Sequence, residues 1–168
     1  GQAPRFYVSG KWAPMMSELD GMGIEVRDLR TCIGRASGIK MCYAAMTKGT
    51  SALHVALLTA AEVMGLTDQL RAELKYSQSG LYDQMESQIP GLPVKAMRWI
   101  GEMEEIADTF DSLGITPLFH RASADVYRAV AETPFAEDTP ETVDESRNLA
   151  QTIAAIAAPL QCSEDSSR

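Results

Sequence analysis

Two short stretches near the N-terminus have the periodicity of β-strands. Residues 5–8, Arg-Phe-Tyr-Val, are aromatic and β-branched. Residues 24–29 alternate apolar and charged positions, which is the period of a half-buried strand. The stretch 12–19 between them has apolar residues at helical spacing. These patterns predict a β-α-β unit, and two strands alone need further strands beside them to make a stable sheet.

One long helix dominates the next part of the chain. Residues 36–64 are rich in Ala, Met and Leu, contain no proline and are followed by Gly65, which suits a helix C-terminus. At about 1.5 Å per residue this helix would be roughly 45 Å long. It carries no charge between Lys48 and Glu62. A helix that is apolar nearly all round is buried on most sides, so we expect it in the centre of a bundle or a dimer.

Five shorter helices are predicted after the long one, from apolar spacings of three and four and from proline and glycine at their ends. They cover residues 68–79, 81–89, 93–113, 117–131 and 142–157. The predicted fold class is therefore mainly α, a multi-helix bundle around one long central helix, preceded by the β-α-β remnant of a Rossmann-type domain.

Three regions follow from these elements. Residues 1–33 are predicted to be the terminal piece of a dinucleotide-binding domain. Residues 34–160 form an all-α domain, and residues 161–168 form a flexible polar tail. Because the sequence opens directly on a strand, we expect it to begin inside a longer parent protein.

Composition narrows the range of partners. The chain has 168 residues, a net charge of -8 and a pI near 4.7. An acidic excess repels phosphate backbones and anionic membranes, so neither nucleic acid nor a membrane is an expected partner. Three cysteines without CxxC spacing favour a reducing compartment, the cytoplasm. Two well-separated histidines, His54 and His120, predict no metal site.

The candidate chemistry lies at the start of the long helix. Lys40, Tyr43 and Thr47 share a face at spacings of three and seven, and Ser37 lies one turn earlier. Burying an ammonium costs several kcal/mol unless something compensates. A lysine held in a cleft, with Lys48 nearby to disfavour its charge, could accept the proton of a substrate hydroxyl while the polar neighbours bind the substrate. The alternative is that Lys40 extends to solvent and the hydroxyls satisfy helix carbonyls.

This segment resembles a block that opens the long helix of 3-hydroxyisobutyrate and 6-phosphogluconate dehydrogenases. Gly34 and Lys40 match the glycine and the catalytic lysine of Gly-x-x-x-x-x-Lys-x-x-Asn-Asn. The run from Lys40 to Gly49, Lys-Met-Cys-Tyr-Ala-Ala-Met-Thr-Lys-Gly, is similar to a subgroup of phosphogluconate-dehydrogenase-like C-terminal domains. The resemblance extends over nearly the whole chain.

The resemblance implies a part of an oxidoreductase of the β-hydroxyacid dehydrogenase kind. Lys40 would be its catalytic acid and base. Ser37, Tyr43, Thr47 and Lys48 would bind a small hydroxy acid, and the full-length parent would use NAD or NADP as cofactor. The chain would supply the substrate-binding and dimerisation domain.

The chain departs from the family pattern at several positions. Tyr43-Ala44 replaces Asn-Asn, and Thr47 stands where 6-phosphogluconate dehydrogenases have a glutamate, which puts decarboxylation of a sugar acid in doubt. No GxGxxG fingerprint follows either predicted strand. We therefore expect this chain alone to bind no dinucleotide and to be inactive.

A charged cluster on the helix that starts at Pro93 is a second candidate. Lys95, Arg98, Trp99 and Glu102 lie together there and could close the substrate cleft. The resemblance implies a Lys-Asp pair at Gly101-Glu102, where its lysine is missing, and Lys95 or Arg98 would substitute for it. The alternative is ordinary surface packing with an ion pair worth under about 1 kcal/mol.

Two other functions remain open at this point. The chain could be a non-catalytic helical dimerisation module, in line with the apolar long helix and the absent nucleotide fingerprint. It could also belong to an imine or ketone reductase, although retention of Lys40 counts against this. A homodimer is expected in each case, because a long apolar helix and an orphan strand edge both need cover.

Overall fold

The computed structural model describes residues 2–139 and 141–165, with side chains as far as residue 161. The chain divides into two compact units, of which one ends at Ala44 and the other begins at Ala45. The strands are β1 (Arg5–Val8) and β2 (Glu25–Asp28), and the helices are α1 (Ala13–Met16), α2 (Arg35–Val63), α3 (Thr67–Ser77), α4 (Ser79–Gln88), α5 (Pro93–Ser112), α6 (Leu118–Ala131) and α7 (Leu149–Asp165). Short 3₁₀ turns occupy Ser17–Leu19, Ile89–Gly91 and Pro134–Glu137.

The first unit contains the predicted β-α-β arrangement. Strands β1 and β2 pair in parallel, with Arg5 opposite Glu25 and Val8 opposite Asp28. The intervening helix is shorter than predicted, because α1 has four residues and continues as a 3₁₀ turn. The fold class is confirmed: a mainly helical chain preceded by two short parallel strands.

Helix α2 matches its prediction to within one residue at each end. Gly34 before it and Gly65 after it both have positive φ angles, of 92° and 68°, which a side chain would disfavour. The hydroxyl of Ser9, just after β1, accepts a hydrogen bond of 3.1 Å from the backbone N–H of Ala36. This bond satisfies one of the unpaired donors of the first helical turn and ties the start of α2 to the end of β1.

The second unit has one apolar core. Residues of α2, α4, α5, α6 and α7 meet there, together with the 3₁₀ turn after α4. Its buried members are Val55, Leu58, Tyr82, Met85, Ile89, Leu92, Ala96, Val130, Leu149, Ile153 and Ile156. Helices α5 and α6 pack closely against each other. In the described residues, no helix is both long enough and apolar enough to cross a membrane.

The last helix corrects the sequence prediction. It begins at Leu149, seven residues later than the predicted start at residue 142. Asn148 and Gln151 explain the difference, since each side chain accepts a hydrogen bond from the other's backbone N–H, at 3.0 and 2.9 Å. This reciprocal pair is a capping box, which fixes a helix start. The helix also continues past the predicted end at residue 157 and includes Pro159.

The burial predicted for the long helix is only partly correct. The core-facing residues of its later half are buried, among them Ala52, Val55 and Leu58. The apolar side chains of Tyr43 and Met46, in its first half, are exposed. The expectation of a helix buried on most sides is therefore wrong for the N-terminal half of α2 in this chain. The predicted regional boundaries stay predictions, since the two compact units meet inside α2.

Candidate functional site

Lys40 lies in a cleft of the first unit, between the start of α2 and strand β1. The cleft has a volume of about 690 Å³. Lys40, Ile39 and Tyr43 line it from the helix, and Phe6 and Tyr7 line it from the strand region. The Ser9 bond to α2 places the lysine beside this strand. The cleft therefore presents the Lys40 amine and the Arg5 guanidinium among largely apolar side chains, a lining suited to a small polar molecule with an apolar part.

Lys40 itself is exposed to solvent. The sequence predicted that its amine would be shielded from water. In the described chain the amine is not shielded, because this face of the first half of α2 is exposed. Tyr43, one turn after Lys40, leaves 67% of its surface exposed and lines the same cleft. The structure thus brings together two of the predicted site residues, with room for a further group against them.

The other predicted site residues lie elsewhere. Ser37 is exposed and is not among the residues that line the cleft. Thr47 and Lys48 belong to the second unit and line another cavity, of about 470 Å³, between α2 and α5. We call this the α2–α5 cavity; its lining residues are Thr47, Lys48, Ser51, Ser87, Gln88, Gly91, Leu92, Lys95, Arg98 and Trp99.

An ion pair connects the two helices at the α2–α5 cavity. The Nζ atom of Lys48 lies 2.5 Å from Oε2 of Glu102, and the Lys48 side chain is only 15% exposed. The Nε atom of Arg98 lies 3.2 Å from the other oxygen of the same carboxylate. One carboxylate is therefore shared by two cations. The Lys48–Glu102 pair is less exposed to water than the surface ion pair considered for this cluster, so solvent and salt weaken its attraction less.

Trp99 is the aromatic side chain in the lining of this cavity. The ammonium groups of Lys48 and Lys95 lie 5.5 and 5.9 Å from the ring centroid of Trp99, within cation–π range. Trp99 packs edge to face on Tyr127, with 5.3 Å between ring centroids. The Tyr127 hydroxyl donates a hydrogen bond of 2.6 Å to the backbone carbonyl of Lys48.

The chemistry of Tyr127 follows from its burial. Tyr127 is fully buried. Burial raises the pKa of its phenol, and a hydrogen bond with Ser51 opposes that rise in part. The phenol therefore stays protonated and continues to donate to α2. It holds the backbone of Lys48 in place and contacts no solvent, so it positions the site rather than reacting.

Sequence reasoning missed the link between Lys48 and Glu102. Both residues had been singled out, but on separate helices and for separate reasons. A pair separated by more than 50 positions has no periodic signature, so only packing of α2 on α5 reveals it. Among the residues that the structure describes, no group of three or more His, Cys, Asp and Glu side chains is arranged to hold a metal ion.

Comparison with protein families gives one match. Residues 61–130 match a family described as a domain of unknown function, DUF1932. The matched stretch contains Lys95, Arg98, Trp99 and Glu102 but begins after Lys40. A curated relative, an uncharacterized 28.5 kDa protein in the 7S RNA 5′ region of Methanothermus fervidus, is 24% identical over 125 residues, which cover 74% of this chain and 50% of the relative.

Two solved structures have a similar fold. A conserved hypothetical protein from Sinorhizobium meliloti 1021 is 24% identical, with a TM-score of 0.74 over 92% of this chain and 51% of that one. The conserved protein MTH1747, of unknown function, is 28% identical, with a TM-score of 0.62 over 76% of this chain and 50% of that one. Its structure is described as similar to 3-hydroxyacid dehydrogenases. This chain spans about half the length of each of these relatives. Part of this chain is therefore similar to DUF1932 domains, and its fold is similar to that of a protein whose structure resembles 3-hydroxyacid dehydrogenases.

Proposed function

We propose that this chain is the substrate-binding and dimerisation part of an NAD(P)-dependent oxidoreductase that acts on the CH–OH group of a small hydroxy acid. The observation that carries the proposal is the placement of Lys40, on the first turns of α2 and in a cleft beside β1. The described similarity of MTH1747 to 3-hydroxyacid dehydrogenases supports the same reaction class. Three cysteines without CxxC spacing agree with a cytoplasmic enzyme.

Lys40 would act as general base in oxidation and as general acid in reduction. In its neutral form the amine accepts the proton of the substrate hydroxyl as the C–H bond of the same carbon breaks. In the reverse direction the ammonium returns that proton to the carbonyl oxygen. The lysine is exposed in this chain, so a substrate in the cleft can reach its amine. Tyr43 is placed to hydrogen-bond the substrate there.

In the proposed enzyme, the dinucleotide binds mainly outside this chain. A nicotinamide cofactor, when bound, supplies the hydride acceptor. The chain that follows β1 reads Ser9-Gly10-Lys11, and the chain that follows β2 reads Leu29-Arg30, so neither is a glycine-rich phosphate loop. In the proposed enzyme, the phosphates are therefore held by a separate dinucleotide-binding domain.

The test is the Lys40→Met variant of a protein in which this chain follows such a domain. Removal of the general base should lower kcat by about 10²–10⁴-fold with small hydroxy acids as substrates. Lys75→Met, on the exposed face of α3, is the matched control and should leave kcat unchanged. Circular dichroism checks that both variants fold. Unchanged turnover in Lys40→Met would refute the assignment of this residue.

A second role, as a helical dimerisation module, is favoured by the exposed apolar side chains of α2. Met46 and Leu53 leave 58% and 53% of their surface exposed on this helix. A second copy of the chain would remove them from water. Light scattering at micromolar concentration should report a dimer, and Leu53→Glu should weaken it. A monomer at that concentration contradicts the proposed dimer. If a monomeric Leu53→Glu variant of the enzyme keeps full activity, dimerisation is not required for catalysis.

A further inference from the structure

The α2–α5 cavity concentrates positive charge in an acidic protein. Lys48, Lys95 and Arg98 line it, and Glu102 is the carboxylate paired with two of them. These four groups sum to a formal charge of about +2, whereas the whole chain carries -8. We propose that this cavity binds a small oxyanion, a phosphate or carboxylate group.

Lys95 is the strongest indication of a missing anion. It lies in the first turn of α5, at the third helical position, where the helix dipole disfavours a cation. Within the described part of the chain, no carboxylate lies within ion-pair distance of its ammonium. No acidic residue occupies that first turn either. Among the described residues the Lys95 ammonium meets the Trp99 ring rather than a carboxylate, so an external anion at the cavity would supply a negatively charged partner.

The cavity also offers hydrogen-bond donors suited to oxygen ligands. Arg98 uses its Nε toward Glu102, which leaves the outer guanidinium nitrogens for another acceptor. The side-chain amide of Gln88 lies on the same lining. A volume of about 470 Å³ admits a phosphate or carboxylate together with part of the molecule that carries it.

Lys48 and Trp99 are held in place before any ligand arrives. The buried Tyr127 fixes the backbone of Lys48 and packs on Trp99, and Glu102 pairs with Lys48 at 2.5 Å. This part of the cavity therefore loses little freedom when an anion binds. Anion binding at this cavity stands on its own. That the anion is one end of the hydroxy acid substrate rests on the function proposed above.

The test uses the full chain and two probes, inorganic phosphate and acetate, at constant ionic strength set with sodium chloride. The chain has two tryptophans, so the indole N–H signals of Trp99 and Trp12 in NMR spectra give a local readout and an internal control. With phosphate, acetate or both, the Trp99 signal should shift saturably while that of Trp12, in the first unit, shifts little. The tighter of the two probes identifies the group.

Variants decide whether the shift comes from this cavity. Lys95→Met should weaken binding about tenfold, as expected for loss of one charge-assisted hydrogen bond, and Lys95→Arg should retain it. Lys75→Met, which removes an exposed cation of α3, should leave binding unchanged. The proposal is overturned if neither probe gives a saturable Trp99 shift, if Trp12 responds equally, or if Lys95→Met and Lys75→Met bind alike. None of these results depends on Lys40, so this proposal can fail while the catalytic one survives.

Discussion

Tyr127 allows a quantitative test of how the second unit is held together. The Tyr127→Phe variant removes only the hydroxyl that donates to the Lys48 carbonyl at 2.6 Å. The ring, its burial and its edge-to-face contact with Trp99 all remain. The Lys48 carbonyl lies inside α2 and keeps its place in the helical hydrogen-bond ladder. Because the hydroxyl also has a hydrogen bond with Ser51, the loss should be the net value of one to two hydrogen bonds, about 0.5–3 kcal/mol.

Urea unfolding followed by circular dichroism measures this loss directly. A thermal scan should give a fall in Tm of roughly 2–4 °C per kcal/mol for a chain of this size. Tyr76→Phe is the control, because Tyr76 is 89% exposed and its hydroxyl meets solvent. That variant should leave the unfolding free energy unchanged within error.

The same residue predicts a difference at alkaline pH. The folded-state pKa of Tyr127 lies above the value of about 10 for an unfolded chain. Its contribution is therefore fully present below about pH 10 and is lost as pH rises further, because the unfolded chain releases the proton first. Tyr127→Phe should show a smaller alkaline loss of unfolding free energy than the wild type. The reasoning is refuted if Tyr127→Phe lowers the unfolding free energy no more than Tyr76→Phe does. It is also refuted if the unfolding free energies of the wild type and Tyr127→Phe fall in parallel at alkaline pH.

Two glycines and one histidine give further tests by denaturant unfolding. Gly101→Ala, on an open face of α5, should stabilise the protein by about 0.5–1 kcal/mol through helix propensity. Gly49→Ala should not stabilise the protein, because its new Cβ would lie 2.9 Å from the Phe119 ring. In a Phe119→Ala background this contact is gone, so adding Gly49→Ala should then raise the unfolding free energy relative to Phe119→Ala alone. Burial lowers the pKa of His120, because it favours the neutral imidazole in the folded protein. The resulting contribution to the unfolding free energy is present above about pH 6.5 and is lost as pH falls toward the pKa of the folded state. His120→Phe should flatten this acid loss relative to the wild type, and parallel profiles would contradict it.

Local signals in the sequence were sufficient for most of the element boundaries. Glycine at Gly65 and Gly114 was expected to end two helices, and both have the positive φ that such a position requires. The observed strand at residues 5–8 has the predicted bounds, which are those of its aromatic and β-branched run. The start of α7 was missed because the capping box of Asn148 and Gln151 was not recognised in an acidic segment that contains other polar residues.

Burial was predicted less well, for a physical reason. Composition reports how apolar a helix is, but not how much of its surface this one chain covers. The face of α2 that carries Tyr43 and Met46 has the composition of a buried helix and yet is exposed here. The same exposure removes the desolvation expected for Lys40. A sequence pattern thus identified the amine but not its surroundings.

The division of the predicted site between two units bears on how such an enzyme would work. Lys40 and Tyr43 line a cleft of the first unit, whereas Thr47 and Lys48 line the α2–α5 cavity of the second. Both sets lie on α2, whose continuous hydrogen bonding passes through the boundary between the units. The roles proposed for the two sets, proton transfer at Lys40 and anion binding at Lys95, can be tested separately. Loss of Lys40 should then lower kcat while loss of Lys95 raises KM, and steady-state kinetics of the two variants would separate chemistry from binding.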